Sequence, residues 1–261
     1  MARAPFMIGA VAAMAREARL VHRATAGAGV GARVIVSSRG IGPQRARAAA
    51  LSLVDEGVTL LLSTGYAGGL GAGVRVGDLL LPEWVADEDG LASPTWAPGR
   101  ERLGEALGGS VTTHGGGLTA SSRVVASVAE KRALATTSGA LGVDMESAAV
   151  AAVGRERNIP VLVIRSVSDS ADHEVPRAAL HATDDSGNVS TLRVLRALVR
   201  RPFELHALLR LGVGVRAAEG TLALALERGL PALLRPAAGT PRSPDPDSGL
   251  RDPSPRSDRP T

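Results

Sequence analysis

Apolar residues in this chain come as short unbroken runs, bounded by Gly-rich or polar turns and separated by stretches with helical spacing. Residues 6–11 (FMIGAV) form the first run and read as a buried strand, with a helix over 13–23. Residues 33–37 read as a second strand. Pro43 suits the first turn of a helix running to about Glu56, because its missing N–H costs nothing there. The run VTLLLS (58–63) has no polar alternation, the pattern of a strand covered on both faces. Residues 78–85 predict another strand and 86–115 a loop-rich region. A helix is predicted over 124–135, a strand end over 142–145, a helix over 146–157, and a second fully buried strand over 160–167 (PVLVIRSV).

Alternating strands and helices predict an α/β fold: a single three-layer domain whose central sheet is mixed but mostly parallel, flanked by helices on both faces. In such sheets ligands sit beyond the carboxyl ends of the strands. Residues 188–233 are Leu- and Arg-rich and read as helical, interrupted at Pro202. Half of the 16 prolines lie at or beyond Pro231, among Ser, Asp and Arg. The expectation is a catalytic domain over 1–233 with C-terminal helices, followed by a disordered Pro-rich tail over 234–261.

Composition narrows the chemistry. Aromatic residues make up 2% of the 261, so the core is aliphatic. There is no Cys, which removes disulfides, thiolate metal sites and thiol nucleophiles. The five His show no metal-ligand spacing, and no cofactor or metal is expected. The formal charge of +4 is carried almost wholly by Arg, Lys131 being the one lysine. No basic block with interleaved aromatics marks a nucleic-acid surface. The N-terminal apolar run is short and is followed by Arg16-Glu17, so it reads as a core strand and not a signal peptide. No stretch is long enough to span a membrane, and the chain is expected to be cytoplasmic.

Four segments carry groups able to do chemistry. STGYAGGL (63–70) follows a buried strand and reads as a Gly-rich turn that brings backbone N–H groups to a ligand, though it matches neither a Walker loop nor G-x-G-x-x-G. In VDMESAA (143–149) two acids flank Met145 where a strand meets a helix; Asp144 as a helix cap and Glu146 as a first-turn acid is the plainer alternative. RSVSDSAD (165–172) places Asp169 at the ligand edge of the sheet, or Ser168 and Asp169 merely cap a turn. Glu17, in the first helix, reads on its own as part of a solvated face.

Taken together, STGYAGGL with VRVGDLLLP, then VDMESAAVA, then PVLVIRSVSDSAD resemble the purine nucleoside phosphorylase, uridine phosphorylase and methylthioadenosine nucleosidase superfamily over about residues 6–200. AREAR, LPEWVADEDG, SSRVVASVAEKRAL and RPFELHALLRL are similar to its hopanoid-associated branch, the adenosylhopane nucleosidases. The resemblance implies cleavage of an N-glycosidic bond. It implies that Asp169 protonates the purine, that Glu146 binds the ribose hydroxyls above Met145, and that Glu17 activates the attacking water with Arg165 close by. Ser168 would orient Asp169 or the base. Tyr66, Ala67 and Gly68 line the sugar and base, and Gly40 and Gly42 form a loop near the sugar. Val124 or Val125 falls where relatives stack an aromatic on adenine. Phosphorylases of the superfamily hold phosphate with an Arg before their glycine turn and with an early G-D-P-x-R loop. Neither is here, and Arg39 is the one nearby cation, so the resemblance favours water as nucleophile.

The chemistry asks for two unlike acids. A free Asp has a pKa near ~3.9, so Asp169 as an acid at neutral pH is expected to be raised by burial or by Asp172, while the carboxylate beside the cationic sugar stays ionised. The resemblance also implies a homo-oligomer. Arg193, Arg196 and Arg200 share one helical face, which either packs as a solvated helix or lies at an anionic membrane surface, the latter suited to a lipid-linked nucleoside.

Overall fold

A computed structural model describes residues 6–28, 33–176, 179 and 205–235. In chain order the elements are β1 (Ile8–Ala12), α1 (Ala15–Ala28), β2 (Val34–Ser38), α2 (Pro43–Asp55), β3 (Leu60–Gly69), β4 (Leu79–Leu80), β5 (Trp84–Ala86), β6 (Ala92–Pro94), α3 (Ala97–Leu107), β7 (Thr113–His114), β8 (Gly117–Ala120), α4 (Val128–Ser138), β9 (Gly142–Asp144), α5 (Ser147–Arg157), β10 (Val161–Asp169) and α6 (Leu205–Leu234). The strands form one mixed, mostly parallel sheet, as the alternation of apolar runs and helices predicts.

The long strand β3 organises this sheet. Along its first half it pairs in parallel with β1, and over most of its length with β10; its last two residues meet β9 antiparallel. Both faces are covered, which is why its sequence does not alternate. Leu60 and Leu62 join Leu162 and Ile164 under α1, α3 and α6. Leu61 joins Val161, Val163 and Val167 under α2 and α5. Along α6 a stripe of Gly214, Ala218, Leu222, Leu226, Leu230 and Leu233 is buried against the sheet. Among the described residues no helix is long and apolar enough to cross a membrane.

Four sequence expectations need correction. The Gly-rich segment 63–70 is not a turn: its first seven residues continue β3, because pairing with β10 and β9 overrides the turn preference of glycine. The single strand expected over 78–85 is two, β4 and β5, broken at Pro82, which has no N–H for a ladder. The loop region 86–115 contains β6, β7 and helix α3, whose Pro98 sits in the first turn and whose Gly108 caps the end in the left-handed region. Helix α4 begins at Val128, four residues later than expected, because Ser127 and Glu130 form a capping box that fixes its start. The expected helix over 188–204 and the tail from 236 lie outside the described residues.

Gly154 shows how tightly α5 lies on the sheet. A Cβ there would collide with the Val161 side chain of β10 and come within 2.8 Å of the Ile159 carbonyl. Gly154→Ala should therefore destabilise the fold by about 1–3 kcal/mol despite its better helix propensity. Urea unfolding checks this; an unchanged or higher midpoint would show that α5 can move off β10 at no cost.

Candidate active site

At the carboxyl ends of β1, β3 and β10, facing the β9–α5 junction, lies a cavity of about 180 Å³. Glu17 reaches it from the first turn of α1, Tyr66, Ala67 and Gly68 from the end of β3, Met145 and Glu146 from the β9–α5 junction, and Ser168 and Asp169 from the end of β10. A β-bulge between Val167 and Asp169 re-aims the end of β10 at this point. Val124 and Val125 both line the cavity, in the place where the resemblance leads one to look for an aromatic. A larger cleft of about 840 Å³ between the β5–β6 hairpin and α4 shares Arg123 and Val125 with it but contains none of the expected acids. The smaller cavity is the one with chemistry.

Two of the ten expected residues act from behind the wall. Arg165 is 1% exposed and does not line the cavity. Its Nε lies 2.6 Å from Asp144 Oδ2, and its Nη2 donates to Ser63 Oγ at 2.9 Å and Ser147 Oγ at 3.0 Å and lies 3.9 Å from Glu146 Oε2. Gly42 has φ 111° and donates its N–H to Glu146 Oε1 at 2.9 Å. The two together hold Glu146 by both oxygens. Gly65 leaves the space in which this network meets Glu17: a Cβ there would run into Arg165 Nη1 and lie 2.7 Å from Glu17 Oε1. Arg39 is exposed and absent from the cavity lining.

Glu17 is not part of a solvated face. It is 2% exposed and accepts the Met14 N–H at 2.8 Å. Burial pushes its carboxyl above the ordinary 4.5, against the opposing pull of Arg165, the Met14 amide and Arg16. Glu146 behaves likewise: burial, opposed by Arg165 and reinforced by Asp144, pushes it up to about 7. Three carboxyl groups, those of Glu17, Asp144 and Glu146, surround one guanidinium and hold its proton firmly.

The surroundings of Asp169 also differ from expectation. Asp172 is 80% exposed and turned toward Arg132, 4.0 Å away, so it is not the neighbour that conditions Asp169. That neighbour is Lys131 of α4, fully buried, with Nζ 2.5 Å from Asp169 Oδ2. Ser168 Oγ donates to Oδ1 at 2.8 Å. Sequence reasoning assigns Lys131, Ser63 and Ser147 no place in the site, and raises Asp144 only as one of the two acids flanking Met145. Lys131 had a signal, as the one lysine among the chain's many arginines. The two serines had none, since their use depends on a guanidinium arriving from another strand. The plainer alternative is corrected: the residue at the helix cap is Glu146, and Asp144, two residues earlier, accepts the N–H of Ser147, the first residue of α5, at 3.2 and 3.3 Å while pairing with Arg165.

The raised Glu146 has a consequence for stability. Between pH 4.5 and about 7 the folded chain holds a proton at this position that the unfolded chain releases. The contribution is fully present below pH 4.5 and is lost as pH rises through about 7. Glu146→Gln removes it, so the stability difference between wild type and variant should shift against wild type across that window. Thermal unfolding at a series of pH values tests this, and a difference independent of pH would show that Glu146 titrates as an ordinary carboxyl.

Residues 15–200, more than half of the chain, match the family model of the phosphorylase superfamily. The fold is similar to that of 5'-methylthioadenosine/S-adenosylhomocysteine nucleosidase from Neisseria meningitidis, at 19% identity and a TM-score of 0.66, covering 87% of this chain and 99% of that one. It is similar to futalosine hydrolase of Helicobacter pylori at 20% identity and a TM-score of 0.66, covering 86% and 97%. The Helicobacter pylori 5'-methylthioadenosine/S-adenosylhomocysteine nucleosidase gives 18%, 0.66, 87% and 99%. No curated protein matches the sequence. The nucleoside-type motifs, the mixed sheet and the acids gathered at its carboxyl edge agree with the family match: this chain belongs to the phosphorylase superfamily.

Proposed function

We propose that this chain hydrolyses the N-glycosidic bond of an adenine nucleoside, with water and not phosphate as the nucleophile. One observation supports water most strongly. The cation beside Glu17, Arg165, directs its Nε to Asp144 and its Nη2 to Ser63 and Ser147, and three carboxylates lie around it. A phosphate dianion brought there would have to compete with three carboxyl groups for one guanidinium.

The roles then follow from position. Glu17 takes a proton from the attacking water, and its raised proton affinity is in the direction a general base needs near neutral pH. Glu146 accepts hydrogen bonds from the ribose hydroxyls above Met145. Asp169 gives a proton to the leaving base, which turns a poor anionic leaving group into a neutral one. The bond electrons go to the base, the water oxygen goes to the sugar carbon, and one proton moves at each end. Cleavage assisted in this way gains ~10²–10⁴-fold from the acid alone.

Within this class the motifs AREAR, LPEWVADEDG and RPFELHALLRL support adenosylhopane as substrate, giving ribosylhopane and adenine in hopanoid biosynthesis. The lipid part of such a substrate needs an apolar surface. Leu205, Leu209 and Val213 stand exposed at four-residue spacing on α6, with Arg210 beside them, and are suited to peripheral contact with a membrane surface. Arg193, Arg196 and Arg200 lie outside the described residues.

The test is adenine release in phosphate-free buffer from adenosylhopane and from methylthioadenosine side by side. Rapid release from the first alone is the expected result; release from methylthioadenosine alone would place the chain among small-molecule nucleosidases. Asp169→Asn should lose at least ~10²-fold in kcat while still binding substrate.

A further inference from the structure

We propose that Lys131 is the positioning residue for Asp169, holding the carboxyl that faces the leaving base and balancing the charge it gains when its proton departs. This rests on the hydrolase reading above. An ammonium that is 0% exposed is costly unless every N–H finds an acceptor. Lys131 finds three: Asp169 Oδ2 at 2.5 Å, the Ser170 carbonyl at 2.8 Å and the His173 carbonyl at 2.8 Å. It therefore ties the end of β10 and the turn after it to α4, whose start is fixed by the Ser127–Glu130 capping box. With Ser168 on Oδ1 and Lys131 on Oδ2, the carboxyl plane of Asp169 cannot rotate freely.

The identity of the residue fits the task. Three acceptors arranged around one point suit a compact ammonium, whereas a planar guanidinium with five fixed donors would need a longer and flatter site. The residue placed here is the chain's one lysine. No other cation pairs with Asp169 among the described residues. On the cavity side stand Glu17, Arg123, Asp144 and Glu146; on the far side, around a cavity of about 240 Å³, stand Asp172, His173, Glu174 and Arg210. Lys131 alone is within ion-pair distance.

The experiment compares an adenine nucleoside with 4-nitrophenyl riboside, whose phenolate leaves without needing a proton. Lys131→Met keeps the unbranched apolar stem and removes the charged end; Lys131→Gln keeps a donor and guards against a packing defect, with folding of both checked by thermal melting. The expected result is a fall of ~10²-fold in kcat on the adenine nucleoside with little change in KM, near-normal turnover of the nitrophenyl riboside, and little further loss when Asp169→Asn is added. Equal slowing of both substrates would reduce Lys131 to a structural pin and overturn the proposal, as would full activity of Lys131→Met on the adenine nucleoside. A wild-type chain that cleaves neither substrate would overturn the hydrolase reading itself, and this proposal with it.

Discussion

Everything in the cavity depends on one buried guanidinium. Arg165 sits near the end of the central pair of strands, where water cannot screen it, and a lone cation there would be unsustainable. The chain answers with Asp144 in direct contact, Glu146 and Glu17 close by, and two serine hydroxyls. The network draws together four segments distant in sequence: α1, β3, β10 and the β9–α5 junction. Breaking one partner would leave a charge uncompensated, so the cluster acts as a unit.

The same arrangement sets the chemical character of the site. Burial raises the carboxyls of both Glu17 and Glu146, and for Glu146 the neighbouring Asp144 and Glu17 add to it against the pull of Arg165. Such a pocket suits a transition state with positive charge on the sugar and a neutral nucleophile that must lose a proton. At the other end of the cavity the balance is different: a single acid, Asp169, faces a single buried ammonium.

Much of this was legible in the sequence, and for identifiable reasons. Unbroken apolar runs such as VTLLLS and PVLVIRSV report strands covered on both faces, so the α/β architecture followed from pattern alone. Asp169 and Glu146 were legible because strand ends carry chemistry in parallel sheets, whereas Glu17, on a helix, drew attention only through the family resemblance. The Gly-rich segment misled because glycine preference is local, while its extended shape comes from pairing with β9 and β10. Pairwise electrostatics were out of reach. That Asp169 would meet Lys131 and not Asp172 depends on α4 packing beside the turn after β10, 38 residues away in the chain. That Glu146 would be raised depends on its enclosure beside Asp144, which spacing alone does not reveal.

The most direct test of the central claim, that the site around Arg165 admits water and refuses phosphate, is turnover of an adenine nucleoside in water enriched in oxygen-18 with inorganic phosphate present. The account predicts one labelled oxygen on the sugar carbon that carried the base and no sugar phosphate. A phosphorylated sugar without label at that carbon would contradict it, and would mean that an anion can displace the carboxylates that now surround Arg165.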